Sequence, residues 1–128
     1  FGLVGAIQEY LLQLNGAETL EVRLDAPTLW PPLPAAVEVA AYRIVQEALT
    51  NVVRHAQACH CRVQLTLKEG ALHLKISDDG MGLPTGWHAG VGITAMRERV
   101  AELGGVYVIE ALPAGGTCVL AQLPLVKG

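Results

Sequence analysis

Apolar positions at Leu3, Ile7, Leu11 and Leu14 keep helical spacing until Asn15-Gly16 stops the run. "LEVRLDAP" then alternates like a short strand, and "TLWPPLP" is a proline-rich connection. From residue 35 to about residue 56, Val37, Ala41, Ile44, Ala48 and Val52 mark one face of a central helix, which Val45, Leu49 and Val53 widen. "CRVQLTLK" and "LHLKISD" alternate with period two around Glu69-Gly70, so they predict an antiparallel hairpin. A helix is expected from about residue 92 to 103. "VYVIEAL" and "TCVLAQLPL", separated by "PAGG", form a second predicted hairpin.

The predicted order is helix, strand, helix, two strands, loop, helix, two strands. That order implies an α+β fold, a two-layer sandwich whose helices pack on one face of a mixed, mostly antiparallel sheet. The 128 residues suit a single domain over 1–128, and 52% hydrophobic against 16% charged residues allows a substantial core. A net charge of −3 offers no general basic field, which argues against nucleic acid as a partner. Cys59, Cys61 and Cys118 are odd in number and form no disulfide framework, so a reducing, cytoplasmic setting is expected. The first helix carries Gln8 and Glu9 and is too short to span a bilayer. The opening on Phe1, in the middle of a helical pattern, reads as a piece of a longer chain.

On the central helix Arg43, Glu47, Asn51 and His55 recur every four residues, with Thr50 and Arg54 alongside. Such a stripe is ordinarily a solvated face. Against that, Asn51 stands mid-helix, where it costs about half a kcal/mol relative to Ala, and the stripe contains no Lys. A carboxylate, an amide oxygen and a cation at one-turn intervals suit a base, a hard-metal ligand and a phosphate contact. In "LHLKISDDG" the alternation puts Asp78 on the side of Leu72, Leu74 and Ile76, and Asp79 on the solvent side. An inward carboxylate requires donors, from backbone or from the amino group of a bound base. The competing reading of "DDG" is a plain turn.

"GMGLPTGWHAGVG" supplies five glycines before a helix N-terminus, an arrangement that suits an anion and equally suits a flexible loop. Trp87 and His88 either cover a ligand there or pack on the surface. Thr117 shares parity with Val119, Ala121 and Leu123, which would place it near Asp78 if the two strands are neighbours. "HAQACHC" holds soft metal ligands, but Cys59 and Cys61 are one residue apart and no second pair has zinc-finger spacing. Neither a nucleophile elbow nor a P-loop is present.

"YRIVQEALTNVVRHA", "ISDDGMGL", "GVGITAMRERVAELGG" and "PAGGT" before "LPL", taken in order, resemble the ATP-binding catalytic domain of sensor histidine kinases. That domain belongs to the superfamily of gyrase, MutL and the Hsp90-type chaperones, and the wording is most similar to its NarL-type kinase branch. The resemblance implies ATP and Mg²⁺ as ligands, with Asn51 on the metal and Glu47 beside the transferred phosphoryl group. It implies phosphate contacts from His55 and Arg54, an adenine contact from Asp78, and close backbone approach at Gly80 and Gly82. Gly90 and Gly92 would frame a lid, and Thr117 would support the adenine end.

The implied partners are a dimerisation domain that carries the phosphoacceptor histidine and a response regulator. None of His55, His60, His73 or His88 is on a helix of the acceptor kind, so the acceptor is expected outside this chain, which by itself would be monomeric. Two other readings share these residues: an anti-sigma-factor-like serine kinase, and a nucleotide-sensing module without turnover.

Overall fold

The computed structural model describes residues 2–15, 20–28, 30–53, 58–82 and 91–125. Its elements are α1 (Gly2–Asn15), β1 (Glu21–Asp25), α2 (Ala35–Asn51), β2 (His60–Lys68), β3 (Ala71–Asp78), α3 (Val91–Glu102), β4 (Val106–Ala111) and β5 (Thr117–Pro124). The strands form one sheet in the order β1-β2-β3-β5-β4. β1 runs parallel to β2, and the other neighbours are antiparallel. The parallel pair follows from the chain path, since α2 is the crossover that separates β1 from β2.

The β2–β3 hairpin turns on Glu69-Gly70, both with positive φ, 53° and 71°. Two left-handed residues make the two-residue turn whose twist matches that of the flanking strands. The turn sets Lys68 against Ala71, and from there the register runs to Cys61 opposite Asp78. Side chains alternate accordingly. Leu72, Leu74 and Ile76 are buried toward the helices with Val63, Leu65, Val119 and Leu123. Arg62, Lys75 and Gln122 stand exposed on the other face.

Helix α2 begins after Pro34, whose carbonyl accepts the N–H groups of Val37 and Glu38, and Glu38 puts an acidic side chain in the first turn. Val37, Ala40, Ala41, Ile44, Val45, Ala48 and Leu49 are buried. The three small alanines allow the helix to approach its neighbours, while Ile44 and Leu49 fill the core with no exposed surface. Each such burial contributes about 1.5–3 kcal/mol. The regular helix ends at Asn51, earlier than the spacing of apolar residues predicts, and Val52 and Val53 continue in a wider π-type turn. Single wide turns of this kind concentrate at functional sites.

Candidate functional site at the ends of β3 and α2

Asp78 is buried at 8% exposure, the one charged or polar side chain so placed among the described residues. The inward parity read from the sequence is the observed one. Its Oδ1 accepts the Gly80 N–H at 2.8 Å, and the Thr117 N–H also donates to the carboxylate. Burial pushes the Asp78 carboxyl above its ordinary value, and those two N–H groups act against the shift. An ionised carboxylate has about four acceptor positions, so two donors leave capacity for a ligand.

Thr117 reaches Asp78 because β5 pairs with β3, with Ile76 opposite Val119 and Ser77 opposite Cys118. The backbones around the carboxylate are close. A Cβ on Gly82, φ +80°, would stand 3.2 Å from the Gly116 carbonyl oxygen. A Cβ on Gly116, φ +95°, would stand 1.9 Å from the Asp78 carbonyl oxygen. Gly116 therefore requires glycine for space as well as for φ, and Gly82 requires it for φ, with a tight approach to Gly116 besides. The sequence did not single out Gly116 from the other glycines of "PAGGT", because only the β3–β5 pairing brings Asp78 against it.

The second aspartate differs from expectation. Asp79 is partly exposed, as its parity requires, but it is not merely solvent-facing. Its Oδ1 accepts the N–H groups of Cys59 and His60, each at 2.9 Å, and its Oδ2 pairs with His60 Nδ1 at 2.8 Å. The Asp79 N–H donates to the His60 carbonyl at 3.2 Å. The His60 backbone and side-chain donors hold the Asp79 carboxyl down at about 2. His60 is raised by its hydrogen bond to Asp79 and by the charge of that carboxylate. An "HC…DD" spacing carries no signal for such a contact.

Glu47 and Asn51 are half-buried, one turn apart on α2. Neither side chain has a hydrogen-bond or ion-pair partner among the described residues. Two uncommitted oxygens from a carboxylate and an amide fit a hard cation that takes few protein ligands and completes its shell with water and phosphate. No group of three or more His, Cys, Asp and Glu is assembled among the described residues. Cys61 is buried and its thiol is pushed up to about 12 by burial and then by Asp78 and Asp79. Such a thiol is a poor ligand or nucleophile.

Tyr107 on β4 is a residue that the sequence reading missed. Burial, then the charge of Glu47, pushes its phenol up to about 12, and Arg97 of α3 acts against them. β4 thus supplies an aromatic neighbour to the α2 carboxylate. The alternation in "VYVIE" makes Tyr107 inward-facing, but only the position of β4 beside β5 tells which helix it meets.

Arg54, His55, Gly90, Trp87 and His88 lie outside the described residues, as does most of the glycine-rich segment. Gly92 is the second residue of α3. Among the described residues no helix is long and apolar enough to cross a membrane.

Comparison with known proteins places the chain in a family. The model of the histidine kinase-, DNA gyrase B-, and HSP90-like ATPase family matches residues 36–127. Over 124 residues the chain is 35% identical to sensor histidine kinase YxjM of Bacillus subtilis, covering 94% of this chain and 30% of that protein. Over 120 residues it is 43% identical to signal transduction histidine-protein kinase/phosphatase UhpB of Salmonella typhimurium, covering 92% of this chain and 23% of that protein. The chain therefore spans less than a third of the length of either relative. Among solved structures, the histidine kinase domain of a blue-light activated histidine kinase from Erythrobacter litoralis superposes with a TM-score of 0.76 at 26% identity, over 98% of this chain and 62% of that one. The ATP binding domain of PrrB from Mycobacterium tuberculosis, at 20% identity and a TM-score of 0.68, covers 98% of this chain and 96% of that one and shares the fold. The chain belongs to the histidine kinase-, DNA gyrase B- and HSP90-like ATPase family.

Proposed function

We propose that this chain is the ATP-binding catalytic domain of a sensor histidine kinase, which transfers the γ-phosphoryl group of ATP to a histidine on a separate dimerisation domain, for relay to a response regulator. The observation that carries the reading is Asp78: a buried carboxylate, held by two N–H donors, with acceptor capacity left over. An adenine amino group is a donor of the right kind. Asp78 fixes the base, Gly80 and Gly82 keep the adjoining backbone low enough for it, and Thr117 orients the carboxylate. At the other end of the nucleotide Asn51 and Glu47 present oxygens to a metal and to the phosphoryl group. Arg54, His55, Gly90 and Gly92 would take the phosphates. Bound Mg²⁺ would supply neutralisation of phosphate charge. Transfer breaks the bond between the γ-phosphorus and the bridging oxygen, forms a phosphorus–nitrogen bond to the acceptor imidazole, and releases ADP. The chain's part is alignment and charge stabilisation, as in phosphoryl transfer generally.

Calorimetry of the chain with Mg–ATP tests the first half, and absence of binding would sink the proposal. Mixing the chain with a histidine-bearing dimerisation domain of such a kinase and labelled ATP tests the second. An acid-labile, alkali-stable label is expected on histidine; an acid-stable label on serine would identify the serine-kinase reading, and binding without transfer the sensing module.

A further inference from the structure

Asp79 makes three side-chain hydrogen bonds to the start of β2 and the residue before it. It receives the Cys59 and His60 N–H groups on Oδ1 and the His60 imidazole on Oδ2, and its own N–H returns a bond to the His60 carbonyl. These contacts close the hairpin one step beyond its last rung, where Cys61 opposes Asp78. A hairpin end without them frays, since its terminal rung has no neighbour on one side. Here the terminal rung carries Asp78.

We infer that Asp79 is a positioning residue for nucleotide binding: its carboxylate clamps the start of β2 to the end of β3 and so holds Asp78 in its buried, base-accepting orientation, with the His60 imidazole completing the clamp. The inference rests on the nucleotide reading given above. Asp78 is covalently continuous with the clamp, and its Oδ1 is already engaged by Gly80, two residues on. Release of residue 79 therefore frees the Asx-type turn that aims the carboxylate.

The groups around His60 make the second element of the inference specific. From β1, Glu21 is its register partner and Arg23 lines the same hollow of about 360 Å³ on the outer face of the sheet. Arg62, two residues along β2, is paired to Asp25, and Cys61, Ser77, Asp78 and Leu112 complete the wall, Asp78 as a second carboxylate near the imidazole. Asp79 is the anion in direct contact. A group raised above its ordinary value of 6.5 contributes fully below that value and loses its contribution as pH rises through the folded-state value. A protonated imidazole pairs more strongly with the Asp79 carboxylate than a neutral one, so, if the clamp orients Asp78, nucleotide affinity should carry a His60-dependent part that weakens with rising pH.

The test is calorimetry with Mg–ADP on the wild-type chain and on Asp79→Ala, Asp79→Asn and His60→Gln, with thermal melting as the control for folding. Asp79→Ala should weaken binding about tenfold, a loss equivalent to about one or two hydrogen bonds, and Asp79→Asn, which keeps an oxygen for the two N–H groups, by about two- to threefold. The ratio of wild-type to His60→Gln affinity should exceed one at acid pH and fall as pH rises; the phosphate titration of the ligand is common to both and cancels. A purely structural role would lower the melting temperature without that pH profile. Wild-type-like affinity in Asp79→Ala, or a flat ratio, would overturn the inference while nucleotide binding by the wild type stands. A wild-type chain that binds no nucleotide would overturn the functional reading itself and the positioning role with it.

Discussion

Gly116 and Asp78 touch through their backbones: a methyl group on Gly116 would stand 1.9 Å from the Asp78 carbonyl oxygen. Two segments separated by most of the second half of the chain thus meet with no room for a side chain, and Thr117, next in sequence, donates its N–H to the same aspartate.

Gly116→Ala should therefore damage fold and site together. The added carbon meets backbone, which cannot rotate away, and φ at this position is +95°. A loss of about 2 kcal/mol or more is expected from the strain and the displaced strand. Urea unfolding measures it; a variant as stable as wild type would contradict the contact.

Asp78→Asn tests the carboxylate alone. The amide oxygen still accepts from Gly80, but an NH₂ group replaces an acceptor, so it faces the amino group of a base with a donor. Nucleotide affinity should fall at least about tenfold, the scale of a buried hydrogen bond lost and a donor left unpaired, with the melting temperature little changed. Titration of the variant with ATP at fixed Mg²⁺ provides the measurement.

Asn51→Ala removes the amide oxygen proposed for the metal. Wild-type nucleotide binding should tighten on addition of Mg²⁺ and weaken on chelation, and the variant should show little response to either. A metal response equal to that of wild type would move the cation away from α2.

The acid limb of stability reports Asp79. Its carboxyl is held at about 2 against an ordinary 3.8, so the stability it contributes is present above 3.8 and disappears as pH falls through about 2. The difference in unfolding midpoint between wild type and Asp79→Asn should shrink across that window. A difference constant with pH would mean that the charge does not enter.

Glu69 has a positive φ of 53° in the first position of the β2–β3 turn. Asn tolerates that conformation better, and Asn-Gly is the preferred pair for such turns. Glu69→Asn should raise stability by about 0.5–1 kcal/mol, seen as a higher melting temperature, without effect on nucleotide binding.

Periodicity alone placed all eight elements, both hairpins and the inward side of Asp78, because those features depend on residues within a few positions of one another. The apolar face of α2 set which of its residues were buried, except Val53, which lies past the end of the regular helix and is exposed, and that face in turn left Glu47 and Asn51 on its polar side. The end of α2 was less legible: apolar spacing continues past Asn51, while the regular helix stops there, and spacing does not mark that boundary.

What only the tertiary structure decided was adjacency between distant segments. That β5 lies between β3 and β4 brings Thr117 and Gly116 to Asp78. That β4 occupies the edge beside it brings Tyr107 under the charge of Glu47. The Asp79–His60 contact depends on the hairpin register being carried one step past its last rung. Strand order and register are settled by which edges and apolar faces the whole chain can bury at once, a property of the assembled core that no local window contains.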